Sequence, residues 1–254
     1  MLSKNKIKHI NSLKTKKHRD LEQCFIAEGN KLVNEILISE LEVVTLIAEQ
    51  KWLTENHKVK SNIEIIEATT DELSKITALV SPQQVLAVVK IPKRAFDLDQ
   101  ISQNLSLILD NIQDPGNMGT IIRLCDWFGI KNIFCSQGCV DWFNPKVVQA
   151  TMGAICRIQL HEIDVPQFLQ NTLQKYSLPI YGTFLEGENI YTSNLLNKGF
   201  IVMGNEGHGI SKEVEVLVTN KLLIPSFSSD QPTSESLNVS IATAIICSEF
   251  KRRI

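Results

Sequence analysis

Residues 111–123 have the sequence NIQDPGNMGTIIR. They follow an apolar run, residues 105–110, whose length suits a buried β-strand. The pattern beyond them is helical over 118–128, and we predict Asn117 as the N-cap of that helix. The stretch therefore predicts a strand, a polar turn and a helix, the repeating unit of an α/β layer fold.

Arg123 and Asp126 are the charged residues of that predicted helix. Arg123 lies off the apolar face, on the side of Gly119, where the missing side chain leaves room for a ligand. A surface ion pair between Arg123 and Asp126 explains the same pattern without any ligand. On these residues alone, both interpretations stay open.

A second segment, residues 202–211, has the sequence VMGNEGHGIS and places three glycines directly after an apolar run. Glycines let a backbone approach a ligand closely or adopt positive φ. Glu206 among them would lie at the carboxyl end of a strand, where open α/β sheets bind ligands. An ordinary loop with His208 at the surface is the alternative.

A third segment begins with Ile224-Pro225, continues through the polar stretch 226–235 and ends in SLNVS, residues 236–240. The predicted helix over 237–250 is rich in small residues, so a ligand or another helix can come very close to it. The alternative is a tightly packed core helix capped by Ser236.

The second half of the chain alternates short apolar runs with helical patterns, which predicts an α/β fold with a buried parallel sheet. The predicted strands are 105–110, 132–135, 180–184, 200–203 and 222–224, and the predicted helices are 118–128, 145–151, 166–176, 211–218 and 237–250. The first half has shorter alternating elements up to residue 90 and then a polar, proline-containing stretch. We therefore divide the chain into residues 1–92, a linker over 93–104, and residues 105–254.

The net charge of −2 argues against a nucleic-acid partner, but the distribution of cations argues for one. The cations form two clusters. The first precedes the first acidic residue, Asp20, and contains Lys4, Lys6, Lys8, Lys14, Lys16, Lys17 and Arg19; the second contains Lys251, Arg252 and Arg253. A solvated helix or a basic targeting peptide explains the first cluster equally well. Ile7, Ile10 and Leu13 have helical spacing, which predicts that the segment packs onto the fold.

The six cysteines form no Cys-x-x-Cys pair, and no histidine pair has zinc-ligand spacing, so we predict no metal site. Unpaired thiols fit a reducing cytoplasm. No apolar run approaches the roughly 18 residues of a membrane helix, and no secretory signal is evident. We expect a cytoplasmic protein that does not enter a membrane.

Taken together, the three segments resemble, in order and spacing, the signature motifs of the SpoU (TrmH-like) RNA methyltransferases, a family of the SPOUT class. The resemblance covers residues 105–254 and rests on matching positions in all three motifs: Asn117, Arg123, Gly204, Glu206, Gly207, Gly209, Ile224-Pro225 and residues 236–240. Residues 25–29 with the helix after them are similar to that family's N-terminal substrate-binding domain, a small ribosomal-protein-like module. The stretch 226–235 departs from the family, which usually has a shorter loop there.

The resemblance implies a SPOUT-type parallel sheet with a deep trefoil knot, a small N-terminal α/β substrate-binding domain and a homodimer. It implies RNA as substrate, with ribosomal RNA favoured over transfer RNA. The implied methyl donor is S-adenosylmethionine. The implied donor-binding residues, acting largely through their backbone, are Thr183, Phe184, Gly204, Asn205, Gly207, Ile224 and Leu237.

The implied reaction is methyl transfer to a ribose 2′-hydroxyl without any metal. The implied catalytic residues are Arg123, Asn117, Glu206, Ser236 and Asn238. The family's mechanism makes the matching arginine the proton acceptor. Because a guanidinium stays protonated in proteins, an electrostatic clamp on the neighbouring phosphate is the alternative role for Arg123.

Two other classes of protein compete with this interpretation. A nucleotide-dependent oxidoreductase would need Gly-x-Gly-x-x-Gly after the first strand, and residues 110–116 lack it. A non-catalytic RNA-binding protein with the same fold would be expected to lose some residues of the site, whereas the catalytic set named above is intact.

Overall fold

The computed structural model describes residues 2–56, 63–93, 95–228 and 236–253. The chain forms two compact units, Met1–Lys93 with Asp141–Arg157, and Arg94–Val140 with Ile158–Ile254. The second piece of the first unit comes from within residues 105–254, a range that the sequence-based division keeps whole. Within the predicted linker, the structure has a short helix, Leu98–Ile101.

The first unit has a four-stranded mixed sheet in the order β1-β4-β2-β3. Its strands are β1 (Cys24–Glu28), β2 (Val43–Ala48), β3 (Glu64–Glu67) and β4 (Val85–Lys90). Its helices are α1 (Lys4–Ser12), α2 (Lys16–Glu22), α3 (Asn30–Ile38), α4 (Gln50–Glu55), α5 (Thr70–Ser74) and α8 (Pro145–Ala150). A capping box at the start of α5 pairs Thr69 with Glu72, because both orphan amides find a side-chain acceptor there.

The basic N-terminal segment is part of this unit's core. Ile10 and Leu13 are fully buried, in a cluster with Leu2, as their helical spacing predicts. Arg19 is also buried, and its guanidinium donates from Nε (2.9 Å) and from a terminal nitrogen (2.5 Å) to Asp141 Oδ2. The inclusion of Arg19 among RNA-binding cations is therefore wrong, because its charge is neutralised inside the fold.

The second unit has a six-stranded, all-parallel sheet in the order β10-β8-β9-β5-β6-β7. Its strands are β5 (Leu105–Leu109), β6 (Asn132–Ser136), β7 (Gln159–Ile163), β8 (Ile180–Asn189), β9 (Gly199–Met203) and β10 (Asn220–Leu223). Its helices are α6 (Leu98–Ile101), α7 (Pro115–Trp127), α9 (Val165–Lys175), α10 (Lys212–Glu215) and α11 (Val239–Arg252). The predicted α/β fold with a parallel sheet is confirmed, and the trefoil knot stays a prediction.

Two helix starts differ from the sequence-based prediction. Helix α7 is capped by Asp114, whose side chain accepts from the Asn117 amide, so Asn117 lies inside the first turn. Helix α11 is capped by Asn238, not by Ser236. At each start, two residues have side chains that could cap the helix: Asp114 or Asn117 for α7, and Ser236 or Asn238 for α11. The local turn geometry decides which of the two does so. The result frees the Asn117 side chain for other contacts.

Candidate active site

The three signature segments meet at one edge of the second unit's sheet. Because all six strands are parallel, their carboxyl ends share that edge, where α/β proteins bind ligands. Strand β5 leads into the turn before α7, strand β9 into residues 204–211, and strand β10 into Ile224.

Asn117 joins the three segments through its side-chain amide. Its Nδ2 donates to Glu206 Oε1 at 3.0 Å, and its Oδ1 accepts from Asn238 Nδ2 at 3.0 Å. The direction of these bonds is fixed at the α11 end, because Asn238 Oδ1 already accepts from Ser240. The structure thus brings together one predicted catalytic residue from each segment.

The loop that carries Glu206 is a tight turn closed by its own backbone. Asn205 and Gly209 exchange two backbone hydrogen bonds of 2.9 Å each. Gly204 has to be glycine, since an added Cβ would lie 2.2 Å from the carbonyl carbon of Gly209. Glu206, Gly207 and His208 are exposed on this turn, and the surface position predicted for His208 is confirmed.

Arg123 is an exposed residue in the second half of α7, well beyond the capped first turn. Within the described part of the chain, its guanidinium makes no hydrogen bond and no ion pair. The alternative considered for the sequence, a surface ion pair between the described residues Arg123 and Asp126, is therefore not formed. A guanidinium with five unused donors suits a phosphate or a developing oxyanion.

Thr183 and Phe184 lie where β8 separates from β9. Pairing of β8 with β9 ends at Gly182, and its pairing with β10 shifts between Gly182 and Glu188. Thr183 Oγ1 donates to the Val202 carbonyl at 3.2 Å, and the half-buried Phe184 ring packs against the apolar core of the sheet.

These surroundings fit a nucleoside-containing methyl donor. Among the described residues, the backbone groups of 224–227 pair with no other backbone group. Leu237 is half exposed and Ile224 half-buried, which offers apolar surface beside those atoms. Residues 229–235 of the predicted polar stretch lie outside the described residues.

Ser236 and Arg123 are the predicted catalytic residues that the structure does not join to the Asn117 network. Ser236 is exposed and has no hydrogen bond among the described residues. Sequence reasoning missed Asp110, a buried carboxylate after β5 that accepts from the Ser211 amide at 2.8 Å. Its charge at the last position of the apolar run 105–110 was the available signal.

The predicted RNA-binding cations of the first unit divide into two sets. Lys6 pairs with Glu64 at 2.5 Å, and Lys14 donates to the Thr77 carbonyl at 2.7 Å, with burial lowering the pKa of its ammonium group. Lys16 pairs with Asp20 along α2. The exposed ammonium groups without such a partner in the described residues are Lys4, Lys8 and Lys17.

The basic cluster at the end of α11 is largely occupied by internal contacts. Arg252 and Arg253 both donate to Glu249, which is buried, and Arg253 also donates to the carbonyl oxygens of Ser193 and Ile190. Lys251 donates to Asn197 at 3.3 Å. The hypothesis that this cluster is a second RNA-binding patch is therefore not supported.

An all-parallel α/β sheet thus carries, at its carboxyl edge, a polar network that joins the three signature segments, which is the arrangement of a ligand-binding site in an α/β protein. The chain belongs to the SpoU rRNA Methylase family, whose model matches residues 104–248. Residues 4–87 match the MRM3-like substrate binding domain.

Individual relatives cover nearly the whole chain. A Bacillus subtilis (strain 168) protein named 23S rRNA (guanosine(2553)-2'-O)-methyltransferase RlmP is 28% identical, covering 95% of this chain and 94% of its own. A TrmH-family structure from Porphyromonas gingivalis is 38% identical, with a TM-score of 0.90 and full coverage of both chains. An AdoMet-bound rRNA methyltransferase structure from Sinorhizobium meliloti is 28% identical, with a TM-score of 0.84, covering 100% of this chain and 97% of that one.

Proposed function

We propose that this protein transfers a methyl group from S-adenosylmethionine to a ribose 2′-hydroxyl of ribosomal RNA. The observation that carries the proposal is the bonded series Glu206–Asn117–Asn238, which unites the three signature segments. The names and bound donor of relatives that match almost the whole chain support it.

The donor, when bound, supplies an electrophilic methyl group on sulfur. The residues that would hold it are the backbone groups of 224–227, which pair with no other described backbone group, the apolar side chains of Phe184 and Leu237, and the glycine turn that begins at Gly204. Thr183 braces this region through its bond to the Val202 carbonyl. Asn205 and Gly207 stay predicted donor-binding residues on that turn.

Arg123 is assigned the electrostatic role. As the ribose oxygen bonds to the methyl group, the methyl–sulfur bond breaks to leave the neutral thioether of the spent donor, and the hydroxyl proton passes to water. Because a ribose hydroxyl is a weak nucleophile at neutral pH, the site must stabilise the negative charge that develops on its oxygen. A guanidinium stays protonated, and its planar fork can bind a phosphate oxygen and the nascent oxyanion together. Asn117 and Asn238 orient Glu206 and the start of α11 around the ribose, and Ser236 stays a predicted member of this set.

The test is methyl transfer by the purified protein. With tritiated donor and protein-free ribosomal RNA, we expect label in ribose 2′-O-methyl groups, in buffer that contains a chelator of divalent ions. Calorimetry should show donor binding under the same conditions. Donor binding without any methyl transfer to ribosomal or transfer RNA would favour the non-catalytic RNA-binding protein instead.

Substrate capture is assigned to the first unit. The support is the match of residues 4–87 to a substrate-binding domain and the exposed side chains of Lys4, Lys8 and Lys17, which have no partner among the described residues. Mapping 2′-O-methyl groups in RNA from a deletion strain identifies the substrate. A modification missing from transfer RNA alone would overturn the assignment to ribosomal RNA.

We include a homodimer and a cytoplasmic location in the proposal. Helices α7 and α11 pack together, and Trp127 and Ile241 on them are exposed, which suits a two-fold interface between copies. All six cysteines are free thiols, as in a reducing compartment. No described helix combines the length and apolar character needed to cross a bilayer. A fully active monomer in sedimentation would contradict the dimer.

A further inference from the structure

Asn111 begins the turn between β5 and α7 in an unusual backbone conformation. Its φ is +59°, in the left-handed region that non-glycine residues seldom adopt, so surrounding contacts must hold it. Its neighbours approach closely, since a Cβ added at Gly138 would lie 1.7 Å from Asn111 Oδ1. The turn is thus fixed from outside the three signature segments.

Ser136, the last residue of β6, provides one of these contacts. Its Oγ accepts a hydrogen bond from the Asn111 amide at 2.9 Å and lies 3.5 Å from Asn111 Oδ1. The left-handed conformation turns the Asn111 amide away from the β-sheet, and Ser136 Oγ provides the acceptor that this amide needs. None of the signature segments contains Ser136.

The opposite side of Asn111 supports the Glu206 turn. The Asn111 carbonyl accepts from Asn205 Nδ2 at 2.7 Å, and Asn205 Oδ1 accepts from the amides of Gly207 and His208 at 2.9 and 3.1 Å. These bonds set the turn from which Glu206 reaches Asn117. A continuous series of contacts thus leads from Ser136 through Asn111 and Asn205 to the site.

We propose that Ser136 is a positioning residue for methyl transfer, which it supports by holding Asn111 and, through it, the turn that presents Glu206. The inference rests on the proposed function and adds a residue to it. Ser136 touches neither substrate nor donor in this scheme, so its loss should lower kcat while donor affinity stays close to normal. Small displacements of reacting groups cost rate far more than they cost binding.

The experiment compares Ser136→Ala with a matched control. Ser106 lies in the neighbouring strand β5, is fully buried, and its Oγ has no hydrogen-bond partner in the part of the chain that the structure describes. Ser106→Ala therefore removes a hydroxyl from the same sheet without breaking a described hydrogen bond. We expect Ser136→Ala to lower kcat about tenfold, with the donor Kd changed less than about twofold. Ser106→Ala should keep kcat within about twofold, and Ser136→Thr, which retains the hydroxyl, should restore most of the rate.

Amide hydrogen exchange gives a second readout that needs no enzymatic activity. In Ser136→Ala, the amides of Gly207 and His208 should exchange faster than in wild type or Ser106→Ala. Equal kcat in Ser136→Ala and wild type, or equal losses in both alanine variants, would overturn the inference. If the wild-type protein transfers no methyl group, the proposed function fails, and unchanged exchange at residues 205–208 would separately reject the support by Ser136.

Discussion

Arg19 and Arg123 lie in different units, and the sequence alone points both of them toward RNA. Arg19 is 2% exposed, and its guanidinium is engaged by Asp141 and by the Leu13 carbonyl. Arg123 is exposed and has no hydrogen bond or ion pair within the described residues. A count of cations treats the two alike, whereas burial and partners separate a charge that holds the fold from one left for a ligand.

The largest effect is expected from Arg19→Ala, which leaves Asp141 as an uncompensated charge in a nearly buried site. We expect the free energy of unfolding, measured by urea denaturation, to fall by about 3–5 kcal/mol. Lys17→Ala, an exposed neighbour, is the control and should change stability by less than about 0.5 kcal/mol. If Arg19→Ala lowers the free energy of unfolding by less than about 1 kcal/mol, the Arg19–Asp141 pair does not hold the fold together as this comparison requires.

The same interactions change how the N-terminal segment should be tested. If its cations only bind RNA, removing residues 1–19 weakens RNA binding while donor binding survives. The deletion would also remove Ile10, Leu13 and Arg19 from the core of the first unit. It would therefore report on folding, and point substitutions are the sharper test.

Arg123→Ala is expected to produce the opposite result. Turnover should fall by about 10²-fold or more, because charge stabilisation at the reacting oxygen is removed, while stability changes by less than about 1 kcal/mol. Steady-state kinetics measures the turnover and urea denaturation measures the stability, both on the same preparation. Turnover near that of wild type would remove Arg123 from the mechanism.

Arg123→Lys sharpens this result, because lysine keeps the charge and does not have the planar fork. Substantial activity would indicate that charge is sufficient, and an inactive but folded variant would indicate that the fork geometry is required.

The exposed lysines of the first unit provide the next comparison. Changing Lys4, Lys8 and Lys17 together to alanine should weaken RNA binding and reduce the slope of log affinity against log salt. The reduction should be about 0.7–0.9 for each phosphate that the variant no longer neutralises. Lys51→Ala, an exposed lysine of α4, is the control. An unchanged slope would show that these lysines form a solvated face.

A smaller, pH-dependent effect is expected at the end of α11. Hydrogen bonds from Arg252 lower the pKa of Glu249 from its usual 4.5 to about 2. A carboxylate whose pKa is lowered by folding stabilises the folded state at pH values above the pKa that it has in the unfolded chain. This contribution disappears as the pH falls from about 4.5 toward 2. Glu249→Gln should remove this part of the acid sensitivity in urea midpoints measured across that range. An unchanged pH profile would contradict the assignment.

Local patterns predict strands β5, β6 and β9 and helix α9, because each of these elements carries its apolar pattern in contiguous residues. Strand β7 was not predicted, since its sequence QLHEI is half polar at the edge of the sheet. The motif spacing identifies Asn117, Glu206 and Asn238, but the bonds among them depend on which side chain caps each helix. The Arg19–Asp141 pair spans 122 positions, so nothing local indicates it.

The chain passes between the two units three times, and this sets an order of events during synthesis. The first unit lacks its last piece, Asp141–Arg157, until well after Lys93 has been made. At about 5–20 residues per second, that piece follows roughly 3–13 s later. During this interval Arg19 has no Asp141 to neutralise it, and Phe25 has no Phe143 ring beside it. The first unit is therefore completed only after residues 94–140 of the second unit have been made, so a nascent chain arrested near residue 93 should be readily cleaved by proteases.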